Sequence, residues 1–335
     1  MESSLSRIFD SVISWHRNTR RPLPWRVEPS PYHCWIAEIM LQQTRIEAVI
    51  PYYNRFLSEL PDIPSLAAVP EDRLLKLWEG LGYYSRARNL KKAALLLVEH
   101  YHGMLPASVS ELKKLPGIGD YTAGAIASIA FGLPEPAVDG NVLRVMTRLL
   151  SRSDDISASS VRRTFSELLR SSYPSGENAR LLTEGLMELG ETICLPNGLP
   201  HCDACPVSGF CTSHHTGKEL SYPVRTEKKA RRIEQRDVFL LRCGSRFAIR
   251  KRPDSGLLAG LWEFPDDAGG LSAENSIPVG DAVHIFTHVE WHMRGFLLDC
   301  GTELPGYLWK TPEEIVRDYP LPTAFRFYQK KLSEL

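Results

Sequence analysis

Apolar residues recur at helical spacing through the first two-thirds of the chain and at strand spacing in the last third. Residues 5–18 place Leu5, Ile8, Phe9, Val12, Ile13 and Trp15 along one stripe of an amphipathic helix. Arg21-Pro-Leu-Pro-Trp-Arg26 ends it, because proline lacks the donor that a helix interior needs, and leaves a loop carrying Trp25 and Arg26. Trp35, Ile36, Ile39 and Met40 form a second buried stripe, and further helices are predicted across 51–100 and 155–193. Ser108–Lys114 reads as a short helix with Ser108 or Ser110 as its N-cap, and Tyr121–Phe131 as a small-residue, apolar helix. From Tyr222 the period shortens. Asp237–Cys243 and Arg246–Arg250 read as a strand hairpin turning at Gly244-Ser245, 282–300 as more strands, and 312–318 as a short helix.

Two features stand out against this helical background. Leu115-Pro-Gly-Ile-Gly119 is a two-glycine turn between helices. Glycines let a backbone approach a phosphate closely, and free N–H groups at a helix start favour an anion. The other is Glu38, which sits inside the apolar stripe of its helix. A carboxyl desolvated there has a raised pKa and can hold a proton near neutral pH. A solvated glutamate, or one paired with Arg45, is the plainer reading. Where the stripe runs out, Gln42, Gln43 and Thr44 offer groups that can enter a base stack or bond base edges. Trp25 and Arg26, and the cluster Tyr83, Tyr84, Arg86 and Arg88 beside Gly80 and Gly82, suit stacking and phosphate contact. The alternative for each is an aromatic that caps the core.

Composition changes the picture in three places. The 335 residues carry 40 basic and 40 acidic side chains, so any nucleic-acid surface is local rather than global. No apolar run reaches the roughly 18 residues of a membrane helix, and Met1-Glu-Ser-Ser-Leu-Ser-Arg7 lacks the form of a signal peptide, which points to an intracellular protein. Of seven cysteines, Cys34, Cys243 and Cys300 are scattered, whereas Cys194, Cys202, Cys205 and Cys211 cluster. Four thiolates at that spacing suit tetrahedral zinc or a [4Fe–4S] cluster. His201, His214 and His215 keep a Cys3His zinc site open as well.

These motifs carry a resemblance. The hairpin at Gly117 and Gly119, followed by Val138-Asp-Gly-Asn-Val-Leu-Arg144, resembles the helix-hairpin-helix and aspartate loop of the endonuclease III superfamily of DNA glycosylases. Trp35–Arg45 resembles the signature of MutY-type adenine DNA glycosylases, in which the glutamate is the catalytic acid. The resemblance implies a multidomain protein: an all-α helix-hairpin-helix glycosylase domain over 1–222 with a [4Fe–4S] cluster loop at about 192–212, a basic linker over 223–236, and a C-terminal α+β Nudix-like domain over 237–335.

The implied activity is monofunctional hydrolysis of the N-glycosidic bond of adenine mispaired with 8-oxoguanine or guanine in double-stranded DNA, in base excision repair. Glu38 would protonate the flipped adenine, and Asp139 would face the developing sugar cation, a logic shared with two-carboxylate glycoside hydrolysis. Asn141 would orient Asp139 or the water, and Glu184 matches a position near that water. Tyr121 occupies the place where a lyase branch carries its Schiff-base lysine. Tyr83 and Gln43 would fill the vacated stack, with Trp25, Arg26, Gln42, Thr44, Arg86, Gly117 and Gly119 as further DNA contacts. The cluster ligands would be Cys194, Cys202, Cys205 and Cys211, although the first gap holds seven residues where the family has six.

In the C-terminal domain, Phe286-Thr-His288 resembles the Phe-Ser-His motif that contacts 8-oxoguanine. The Nudix hydrolase box is missing, so the domain reads as a recognition module. A buried strand is the plainer reading of that motif. A monomer in a bacterial cytoplasm, reaching the nucleoid through DNA, completes what the resemblance implies. Two other readings are a bifunctional lyase, against which Tyr121 stands in the place of the lysine, and a lesion-binding protein without chemistry, against which Glu38 and Asp139 are both present.

Overall fold

The computed structural model describes residues 2–27, 29–226 and 230–335. Ahead of the linker the chain is built of helices: α1 (Glu2–Thr19), α2 (Pro24–Val27), α3 (Pro31–Leu41), α4 (Ile46–Glu59), α5 (Ile63–Ala68), α6 (Glu71–Leu77), α7 (Ser85–His100), α8 (Val109–Leu112), α9 (Asp120–Phe131), α10 (Gly140–Leu150), α11 (Ser159–Arg170), α12 (Glu177–Thr192) and α13 (Thr212–His215). Beyond it come β1 (Arg232–Cys243), β2 (Arg246–Lys251), β3 (Trp262–Glu263), β4 (Ile277–Ile285), β5 (Val289–Asp299) and β6 (Leu308–Lys310), then α14 (Pro312–Asp318) and α15 (Arg326–Lys331). Among the described residues no helix is long and apolar enough to cross a membrane.

The chain folds into two compact units, and the division does not follow a single break at the linker. One unit runs up to Ala67 and resumes at Asn89; the other takes Ala68–Arg88 together with the chain beyond the linker. Segment 68–88 thus leaves the grouping 1–222 expected from sequence. Polar contacts tie it to the second unit, and Leu74, Leu75 and Trp78 within it are fully buried. Lys251 pairs with Asp72 at 3.2 Å, Glu79 Oε1 accepts from the Leu321 N–H at 3.2 Å, and Lys76 donates to the Tyr319 carbonyl at 3.2 Å.

In the first unit, α1 buries Leu5, Ile8, Phe9, Val12 and Ile13 in a core shared with Val142, Met146 and Leu149 of α10 and Leu182, Leu186 and Leu189 of α12. Helix α9 packs on both α3 and α12. Its small residues are what permit this. A Cβ on Gly124 would lie 2.4 Å from the Pro136 carbonyl oxygen. Ala123, Ala125, Ile126 and Ala127 are fully buried.

The second unit is a mixed sheet in the order β3-β2-β1-β5-β4, with β6 on β2. Strands β1 and β5 run parallel in register from Arg232↔Val289 to Arg242↔Asp299, and β4 and β5 form an antiparallel hairpin. Val238 and Leu240 join a core with Ile315, Phe325 and Tyr328, while Phe239 and Leu241 join another with Leu298 and Trp309. Both faces are covered, which explains the unbroken apolar run in β1.

Two local readings change. Trp25 and Arg26 lie on the helical turn α2 rather than in a loop, and β1 begins at Arg232, inside the expected linker 223–236. Glu227, Lys228 and Lys229 of that linker lie outside the described residues.

The close approach at Gly124 is directly testable. Gly124→Ala should destabilise the first unit by ~1–3 kcal/mol, the usual cost of overpacking a filled core. Urea melts followed by far-UV circular dichroism read this, and an unchanged midpoint would mean that α9 can move away from residue 136.

Candidate active site

A cavity of about 560 Å³ opens in the first unit, and Glu38, Tyr121, Asp139, Asn141 and Glu184 all line it. Helix α3 brings in Glu38. Ser30 caps that helix by accepting from the His33 N–H at 3.0 Å, and Pro31 occupies its first turn. The stripe Trp35, Ile36, Ile39 and Met40 is buried as expected, and Glu38 itself is 7% exposed. Tyr121, in the first turn of α9, donates its hydroxyl to Glu38 Oε2 at 2.7 Å. Burial raises the Glu38 carboxyl to about 7; the Tyr121 hydrogen bond opposes that rise and the Asp139 charge adds to it. A carboxyl in this state can carry a proton at neutral pH and release it to a substrate.

Asp139 is treated differently by its surroundings. It is the N-cap of α10, accepting from the Val142 N–H at 2.8 Å and from Asn141 Nδ2 at 3.0 Å. Burial raises its carboxyl as well, but these two bonds and the Arg144 charge oppose the rise. A helix N-terminus also favours the anion. Asn141 is itself fixed. Arg144 donates to Asn141 Oδ1 at 2.8 Å, to the Gly190 carbonyl at 2.6 Å and to the Cys194 carbonyl at 2.7 Å. Helix α12 approaches here because Gly190 has no side chain; a Cβ would lie 2.5 Å from that of Asn141.

A ladder of ions forms another wall. Glu184 accepts from Arg20 Nε at 2.8 Å and lies 3.2 Å from His16 Nε2. Burial tends to raise Glu184, but His16, Arg26 and Arg20 together hold it below the usual range. Arg26 donates to Glu188 at 2.9 Å, Arg21 pairs with Glu188, and Arg21 Nη2 donates to Glu191 at 2.7 Å. Arg26 is therefore committed to carboxylates rather than held out to solvent. Trp25 lines the cavity and meets Tyr53 edge-on, with ring centroids 5.2 Å apart.

Gln42, Gln43, Thr44, Gly117 and Gly119 line the same cavity. Gln42 reaches Thr122 of α9 at 3.3 Å. Gln43 has φ 59°, a left-handed conformation that is strained for a residue with a side chain. Gly117 has φ +82°, and a Cβ there would lie 2.9 Å from that of Asn89. The other candidate DNA contacts, Tyr83 and Arg86, belong to the second unit. Tyr83 also has positive φ, at 47°. Its hydroxyl lies 2.7 Å from Thr287 Oγ1. Arg86 is buried beneath it, with its guanidinium 5.5 Å from the Tyr83 ring and its Nη2 donating to the Leu81 and Gly82 carbonyls. Burial lowers the Arg86 pKa to about 10. That arginine shapes the turn instead of facing outward.

Comparison with known proteins agrees with this geometry. The model of the HhH-GPD superfamily base excision DNA repair proteins matches residues 36–171, and that of the NUDIX domain matches 237–331. The chain is 31% identical over 402 positions to the adenine DNA glycosylase of Rattus norvegicus, an alignment spanning 96% of this chain and 77% of the rat protein. The chain belongs to the adenine DNA glycosylase family. It is 36% identical over 259 positions to the adenine DNA glycosylase of Buchnera aphidicola subsp. Baizongia pistaciae, covering 77% of this chain and 73% of that one. Among solved structures, a thermostable thymine-DNA glycosylase superposes with a TM-score of 0.57 at 27% identity, covering 64% of this chain and 98% of its own.

As a DNA glycosylase of base excision repair, the chain carries one more cluster of chemistry. Cys194, Cys202, Cys205 and Cys211 line a common cavity walled by Val145, Leu149, Leu189, Ile193 and Val207. Burial, with charge on Glu219 and the neighbouring sulfurs adding to it, raises the thiol of Cys202 to about 11, and burial with charge on the neighbouring sulfurs raises that of Cys205 to about 12. Crowded thiols of this kind are a donor set that a metal group would neutralise. Arg148 donates to Cys194 Sγ at 3.3 Å. His214 faces Glu219 at 2.8 Å, and the ligand atoms of Cys202, His214 and Glu219 lie within 4.8 Å of one another.

Sequence reasoning missed His16, Arg20, Arg21, Arg144 and Arg148. Only Arg144 gave a usable signal, three residues beyond Asn141 on one helix face.

The opposed settings of the two carboxyls predict a pH profile. With Glu38 as the general acid, the single-turnover rate of adenine release should fall about tenfold per unit above pH ~7, where that carboxyl loses its proton. It should fall again at low pH as Asp139 gains a proton. Asp139→Asn keeps a good N-cap but deletes the charge that helps raise Glu38. Its rate should drop by ~10²-fold or more, and its residual descending limb should move to lower pH. A limb that does not move would remove Asp139 from the electrostatics of Glu38.

Proposed function

We propose that the chain excises adenine paired with 8-oxoguanine in duplex DNA by a monofunctional route. The observation that carries the chemistry is the pair in one cavity: a carboxyl raised to about 7 at Glu38 and a capped carboxylate at Asp139. Tyr121 holds Oε2 of Glu38, leaving the other oxygen for the proton. That proton goes to the extruded adenine, and the base departs with the electron pair of the glycosidic bond. Asp139 faces the cationic sugar, Asn141 holds Asp139, and water then adds to the sugar carbon. Glu184, fixed by His16 and Arg20, orients that water. Gln43 and Tyr83 fill the space that the adenine leaves.

Base removal without strand cleavage fits the cavity lining, which among the described residues includes Arg26, Arg45 and Arg162 but no lysine amine for a Schiff base. The lesion is read by the turn 286–288, which joins β4 to β5. Thr287 and His288 are exposed there, and Phe286 is half-buried against Trp291 with centroids 4.8 Å apart. A hydroxyl and an imidazole can meet the N7–H and O8 of 8-oxoguanine. The Tyr83–Thr287 contact supports the reading, since it puts the wedge beside the readout group within one unit.

The four cysteines would hold a [4Fe–4S] cluster, whose contribution when bound is to cross-link the loop after α12. The protein acts as a monomer on its DNA.

Three experiments test this. On an adenine·8-oxoguanine duplex, strand breakage should need alkali after enzyme treatment, and Glu38→Gln should abolish it. Breakage without alkali would establish a lyase. Thr287→Ala with His288→Ala should weaken binding to adenine·8-oxoguanine by about tenfold or more relative to adenine·guanine, each lost contact being worth ~1–3 kcal/mol. Equal losses would move lesion reading elsewhere. Anaerobically purified protein should contain about four irons per chain; a single zinc with no iron would support the Cys202–His214–Glu219 grouping instead.

A further inference from the structure

The second unit holds a cavity of about 470 Å³ that the proposed reaction does not use. Arg232, Glu234, Arg236, Arg252, His288 and Trp291 line it. Trp291 is 1% exposed and forms its floor. The Trp291 indole N–H donates to Glu234 at 2.8 Å. The Arg236 guanidinium lies over the Trp291 ring at 4.2 Å, and that of Arg252 at 5.7 Å. Arg252 is anchored by buried Glu263 and by the Leu257 carbonyl at 3.2 Å. Arg236 reaches Asp266 only at 3.5 Å. Arg231 ties the start of β1 to the lesion-reading turn by donating to the Phe286 carbonyl at 3.1 Å.

These contacts restrict what the cavity can take. Three arginines face one lining carboxylate, and Glu234 already serves Trp291 and Arg232. The Trp291 face is covered by guanidinium, so a base finds no ring there to stack on. A guanidinium is planar, and one held over an aromatic ring keeps a preorganised N–H fork that matches a pair of phosphate oxygens. A carboxylate ligand would fit the fork equally well, but His288 decides between them. It lines this cavity and also belongs to the turn that meets the lesion base.

We propose that the cavity clamps a backbone phosphate of the DNA strand that carries the lesion, next to the nucleotide read by Thr287 and His288. The assignment of the strand rests on the lesion-reading role of that turn; the phosphate chemistry does not. The clamp holds the strand in place and is blind to the base, whereas the turn reads the base.

The test uses the full chain, with Arg236→Gln and Arg232→Gln as variants and dissociation constants measured across a salt series. One duplex carries adenine·8-oxoguanine, another carries only normal pairs. For each variant the slope of log affinity against log salt should shrink by about 0.9, the value of one phosphate contact, on both duplexes alike. Arg232 is largely exposed, its side chain at 76%, so its variant keeps the test valid if loss of Arg236 disturbs the packing on Trp291.

A methylphosphonate placed singly along the lesion strand should, at one position beside the lesion, weaken the parent protein while leaving Arg236→Gln unchanged. Unaltered slopes in both folded variants, or losses that add at every methylphosphonate position, would overturn the clamp. Deoxyguanosine monophosphate is the probe for a soluble source. If it competes only when Arg236 is present, and duplex binding ignores both variants, the cavity serves free nucleotides and the DNA assignment fails. Were the lesion-reading role wrong, Thr287→Ala with His288→Ala would weaken both mispairs equally, yet the salt slopes would still change.

Discussion

Everything in the first unit depends on keeping two carboxyls dry: burial raises both, and hydrogen bonds and charge restrain the rise of Asp139 more than that of Glu38. Charged groups shun a low-dielectric interior unless they are bonded. Glu38 is set in an apolar helix face with a single hydroxyl to oppose its burial, so its neutral form is favoured. Asp139 is given a backbone N–H, an amide and a nearby guanidinium, so its charge is supported. Pairs of titratable groups whose environments push them apart are how one site supplies both an acid and an anion. The packing of α9 on α3 enforces the first environment, and the start of α10 supplies the second.

That arrangement needs stiff walls, and the walls are ionic. His16, Arg20, Arg21 and Arg26 interleave with Glu184, Glu188 and Glu191 between α1, α2 and α12. A buried pair of this kind adds little net stability over an apolar one, but removing one partner strands a charge. It therefore fixes geometry more than it adds stability. A second chain of bonds runs from Asp139 through Asn141 and Arg144 to the carbonyl of Cys194. The aspartate and the cysteine loop thus share one arginine, and any distortion of that loop reaches Asp139 through two side chains.

The second unit works on a different principle. Its sheet is covered on both faces, so core packing fixes β1, β2 and β5 and leaves the turn between β4 and β5 at the surface. Phe286 bridges the two regimes. One side of it packs on Trp291, while Thr287 and His288 project from the turn it anchors. Segment 68–88 belongs to this unit and brings Tyr83 to Thr287.

The sequence by itself determined the helices, most of the strands, the hairpin at Gly117 and Gly119, and the pairing of Glu38 with Asp139 as the residues of interest. The helices, the strands and Glu38 are legible because they rest on local rules: periodicity, capping, and a carboxyl set inside an apolar stripe; Asp139 was marked by the resemblance of its loop to that of the family. Only the tertiary structure decided that Arg26 and Arg86 turn inward, that 68–88 belongs with the C-terminal sheet, and that three arginines converge on Trp291. Those outcomes depend on partners far away in sequence, 162 residues apart for Arg26 and Glu188 and 204 for Tyr83 and Thr287. An arginine reads the same along the chain whether it faces water or a buried carboxylate. The difference lies in which elements pack against it, and no local pattern encodes that.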